Sequence, residues 1–63
     1  KMLLPIKVIV TLRGGTRHIY RDTIKTHART QLGILRAMEN ESSKLFRGSD
    51  LSVERIQIIR EET

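Results

Sequence analysis

Ile6-Lys7-Val8-Ile9-Val10-Thr11-Leu12-Arg13-Gly14-Gly15-Thr16-Arg17-His18-Ile19-Tyr20-Arg21-Asp22 is the stretch that decides the fold. Its first half is rich in β-branched residues and alternates in period two, as a strand with one buried face does. Two consecutive glycines then tolerate the positive φ angles of a tight turn, and a second alternating run follows. A β-hairpin is expected, with Gly14-Gly15 as a two-residue loop flanked by Arg13 and Thr16. That register sets Lys7 opposite Asp22, Ile9 opposite Tyr20 and Thr11 opposite His18 on one face. On the other face Val10 meets Ile19, and Arg21 and Arg17 lie opposite Val8 and Leu12.

Downstream of the hairpin, the segment 26–47 carries a helical pattern: Ala28, Leu32, Leu35, Met38, Leu45 and Phe46 fall on one stripe at 3.6-residue periodicity. Lys25, Arg29, Arg36 and Arg47 line one flank of it. Thr23 or Thr26 is the expected N-cap, since either hydroxyl can accept from a first-turn amide, and Arg47-Gly48 supplies a cation and a stop at the other end. Asn40-Glu41-Ser42-Ser43, of modest helix propensity, marks a place where the helix can kink or divide. After Gly48-Ser49-Asp50 the run from Val53 to Ile59 reads as a final strand, with a short helix over 52–60 as the alternative.

The expected architecture is a single α+β domain over residues 1–63 in the order ββαβ. Its antiparallel sheet has three strands in the order 2-1-3, with one helix on one face. In outline this is similar to β-grasp domains and to compact ribosomal or RNA-binding ββαβ modules, a likeness of architecture that carries over no residue roles. Lys1 ahead of Met2 reads as an addition, with Met2 the expected natural start.

Composition narrows the function classes. With no cysteine, disulfides and thiolate metal sites are excluded. His18 and His27 fall on different elements without a carboxylate cluster, so neither a metal site nor a cofactor is expected. Ser42-Ser43 has no evident base, and Glu39 and Glu41 point to different helix faces, which argues against an enzyme. Lys and Arg number 12 against 7 Asp and Glu, and a formal net charge of +5 makes polyanions the favoured partners. Tyr20 and Phe46 are the only aromatics, too few for a base-stacking platform. The longest apolar run, around Ile6 to Leu12, is too short to span a bilayer, and a cytoplasmic location is expected.

The expected activity is non-enzymatic nucleic-acid binding through the phosphate backbone, with limited base specificity and with DNA and RNA undistinguished. Arg17, Arg21, Lys25, Arg29, Arg36 and Arg47 are the expected contact residues. Arg17 and Arg21 are placed on the helix-covered side, where they extend the helix's basic flank. Ile9, Tyr20, Val53 and Ile59 are expected to form an apolar patch on the open sheet face and to hold a homodimer. The alternative is a protein-binding regulator or adaptor, of phage, mobile-element or antitoxin type, that uses that exposed face.

Overall fold

The computed structural model describes residues 1–61 and has the element order β1 (Met2–Leu12), β2 (Arg17–Thr26), α1 (Gln31–Arg47) and β3 (Val53–Arg60). The strands form one antiparallel sheet in the order β2-β1-β3, with α1 packed on one face. The α+β class, the topology and the strand character of the last segment are those expected from the sequence.

The hairpin register differs from expectation by one residue. Thr11 pairs with Arg17, Ile9 with Ile19, Val8 with Tyr20 and Lys7 with Arg21. The loop holds three residues, Arg13, Gly14 and Gly15. It is closed by the Leu12 amide donating to the Thr16 carbonyl (2.8 Å) and the Gly15 amide donating to the Leu12 carbonyl (2.9 Å). Both glycines use their conformational freedom, with φ of 96° at Gly14 and 100° at Gly15. Arg13 is drawn out of the ladder toward the α1–β3 loop: its amide donates to the Ser52 carbonyl (2.8 Å) and its Nε to the Leu51 carbonyl (2.7 Å).

Because side chains alternate with period two, a slip of one residue turns all of β2 over. The core explains which register wins. Opposite Leu4, the observed register places Ile24, which is buried, whereas the two-residue loop would place Lys25 in that position. Burying that cation unpaired is far costlier than re-forming a turn. Arg17 and Arg21 therefore lie on the open face and not on the helix side, and Tyr20 lies on the helix side and not beside Ile9.

The core is small. Leu4, Ile6, Val8 and Ile24 are buried, and Met2, Val10, Ile34, Ala37, Met38, Leu45, Ile56 and Ile58 close around them. The helix begins later than expected. Thr30, extended at φ −118° and ψ 159°, is its N-cap, with Oγ1 accepting from the Gly33 amide at 3.0 Å. The hydroxyl of Thr26 instead accepts from the Ala28 amide (3.1 Å) as β2 ends, so Lys25 is a strand residue and Arg29 belongs to the connection. The helix runs unbroken through Asn40–Ser43, where the Ser42 hydroxyl donates to the Ile56 carbonyl (2.8 Å) and ties α1 to β3. Its inward side is Ile34, Ala37, Met38 and Leu45, whereas Leu32, Leu35 and Phe46, expected on the buried stripe, are exposed.

Candidate nucleic-acid interface

Residues directly opposite in an antiparallel ladder share a face, so the register alone assembles the helix-free surface. Its cross-strand rows are Arg17–Thr11–Arg55, Ile19–Ile9–Gln57 and Arg21–Lys7–Ile59, continued along the hairpin by Thr23–Pro5 and Lys25–Leu3. Arg17, Arg21 and Lys25 stand four residues apart along β2, about 13 Å per step at strand rise. Lys7 and Arg55 carry the charge onto β1 and β3. Asp22, by contrast, pairs with Ile6 and lies on the helix side.

Lys7 and Arg21 are directly opposite, an arrangement of like charges that weakens a sheet. Partial compensation comes from Glu61, whose amide donates to the Pro5 carbonyl (2.9 Å) and whose Oε1 lies 2.9 Å from Arg21 Nε. The Arg21 side chain is nevertheless 81% exposed, against 24% for Glu61, so most of the guanidinium stays available to another anion. Between the cations the surface is aliphatic, with Leu3, Ile19 and Ile59 exposed. Neither aromatic residue is on it: Tyr20 faces the helix side and Phe46 is on α1.

The expected contact residues therefore separate into groups. Arg17, Arg21 and Lys25 come together on the open sheet face, Arg36 and Arg47 project from the helix on the opposite side of the molecule, and Arg29 sits in the connection. Lys7 and Arg55, which were not among the expected contact residues, join the sheet group. Of the expected apolar patch, Ile9 and Ile59 are on the open face, and Val53 sits opposite Leu12 at a bulge where the β1–β3 register shifts. Among the described residues no helix is long and apolar enough to cross a membrane, and no group of three His, Cys, Asp or Glu could hold a metal ion. Comparison with family models, with curated proteins and with solved structures gives no match for this chain.

Proposed function

We propose that this chain is a non-enzymatic nucleic-acid-binding protein that holds the phosphate backbone of a double helix against its open sheet face. The observation that carries the proposal is the gathering of Lys7, Arg17, Arg21, Lys25 and Arg55 on one surface, where Glu61 pairs with Arg21. A directly opposed Lys7–Arg21 pair costs sheet stability in the free protein, and neutralisation by phosphates reverses that cost while releasing counterions. Guanidinium groups on a rigid strand also match phosphate oxygens in bidentate geometry.

The aliphatic character of the face favours duplex over single strands. Single-strand binders stack bases on aromatic rings, and this surface offers Ile9, Ile19 and Ile59 instead. Phosphate contacts position a protein without reading sequence, so limited base specificity is expected. Titration of fluorescently labelled duplex DNA, duplex RNA and single strands at several salt concentrations tests the proposal. Duplex affinity should exceed single-strand affinity, and its logarithm should fall against log salt by roughly 0.9 per phosphate contacted. No binding to any polynucleotide at low salt would refute it and leave a protein partner as the better assignment for this face.

A further inference from the structure

The helix exposes a second surface, distinct from the basic sheet. Leu35 and Phe46 are eleven residues apart, about three helical turns, and so lie on one side of α1, with Leu32 one turn before Leu35. They are 47%, 47% and 57% exposed respectively. Leu35 also lines a shallow groove of about 310 Å³ between α1 and β3, with Met38 and Ser42 on the helix and Ile56 to Ile59 on the strand, so that it reaches the edge of the open face at Gln57 and Ile59. Because β3 is the last strand of the sheet, this apolar flank overhangs a free edge.

The molecule is also extended, with extents of 37 × 23 × 15 Å and a radius of gyration of 12.2 Å, against about 10.6 Å for a compact domain of this length. It exposes 4938 Å², about 700 Å² more than the ~4,200 Å² typical of a folded monomer of its 7.3 kDa. Taken over the whole molecule, that excess is of the order of the ~800 Å² each partner contributes to a standard protein interface. Charge leaves this flank open to a second copy. Copies of a +5 chain repel across their basic faces, but on this flank Glu39 and Arg36 are one turn apart and offset each other.

We propose that a second copy of this chain covers the α1 flank, related by a two-fold axis perpendicular to the sheet. Rotation about that axis sets the two α1 helices side by side and antiparallel above adjoining β3 edges. The Ser42 hydroxyl engages the Ile56 carbonyl of β3, and side-chain packing of Leu32, Leu35 and Phe46 provides the contact. An axis normal to the sheet leaves both open faces on the same side, doubling the basic surface presented to one duplex. That last consequence rests on the nucleic-acid reading; the assembly itself does not.

Sedimentation equilibrium without nucleic acid, from micromolar to millimolar protein, tests the assembly. The wild type should approach twice 7.3 kDa, and Leu35→Glu with Phe46→Glu should remain at 7.3 kDa with its circular dichroism unchanged. Leu32→Glu, at a more exposed position, should weaken association in the same direction and carries the test if the double variant loses its helical signal. Ile19→Glu, on the open face, should leave the mass unaltered. A wild type that stays monomeric throughout, a dimer that survives both helix variants, or a dimer abolished by Ile19→Glu would each overturn the proposal. Intact dimers that fail to bind any polynucleotide would instead remove the functional reading alone.

Discussion

Truncating Ile6 to alanine should separate the true core from the apolar surface around it. Ile6 is 1% exposed, lies in the central strand between Asp22 and Arg60 on the helix side, and belongs to the group formed with Leu4, Val8 and Ile24. Removing a buried aliphatic of this size costs about 2–5 kcal/mol, because the lost transfer energy is compounded by a cavity the neighbours fill only in part. At roughly 0.05–0.15 kcal/mol per residue, a chain of 63 residues has a total of about 3–9 kcal/mol to lose. Thermal unfolding followed by circular dichroism should therefore show Tm lower by at least about 8 °C, since each kcal/mol shifts a domain this small by about 4–8 °C. Ile19→Ala is the matched control. Ile19 is of the same residue type on the neighbouring strand but is 60% exposed, so its loss should cost about 1 kcal/mol or less. Equal destabilisation by the two substitutions, at the same protein concentration, would mean that the faces of the hairpin have been assigned the wrong way round.

Gly14→Ala should cost about 1–2 kcal/mol through the backbone alone, because φ is +96° and nothing lies within 4 Å of the added Cβ. Gly48→Ala, at φ −85° and meeting only ordinary contacts, should be close to neutral in the same denaturation assay. Thr11 is 4% exposed and its hydroxyl has no hydrogen-bond partner, so Thr11→Val should raise stability by about 1 kcal/mol or more; a loss would show that the hydroxyl is paired in solution. The Asp50 carboxyl accepts from the Ser52 hydroxyl and from its amide (2.8 Å), which together hold its pKa below the ordinary 3.8. The stability this contributes is present above that ordinary value and is lost as pH falls through the depressed one. NMR titration of Ser52→Ala should return the Asp50 midpoint toward 3.8, and an unmoved midpoint would rule out the Ser52 hydroxyl as the cause.

The strands, their order and the existence of the helix are legible because a period-two pattern runs over 6–12 and a 3.6-residue pattern over 26–47, although β1 begins earlier, at Met2, and α1 later, at Gln31. The hairpin register is not fixed by the glycine pair, since Gly14-Gly15 suits a two-residue loop as well as the observed three-residue one. A further signal was present in Ile24. Only the longer loop sets it opposite Leu4 in the core and sends Lys25 to solvent, so weighing the far end of β2 would have chosen the register and with it the face of every arginine on that strand. On the helix, Ile34 and Ala37 compete with Leu32 and Leu35 for the inward side. The contest is settled by the position of β3, which a periodicity confined to one element does not contain. The late helix start follows from Thr26, a residue suited to capping but used to turn the chain out of β2. Lys7 and Arg55 join a basic surface because the observed register brings Arg17 and Arg21 to the face on which Lys7 already lay opposite an expected Asp22.

The most direct test of the central claim compares two charge reversals in one salt titration on duplex DNA. Arg17→Glu with Arg21→Glu alters the open sheet face, and Arg36→Glu with Arg47→Glu makes the same change in net charge on the opposite side of the molecule. If phosphates dock on the sheet, the first variant should lose most of its affinity, with a salt slope shallower by roughly 2, about 0.9 for each contact removed. The second should keep the wild-type slope and lose only the smaller share owed to net charge. Equal losses, or a greater loss from the helix variant, would contradict an interface on the sheet.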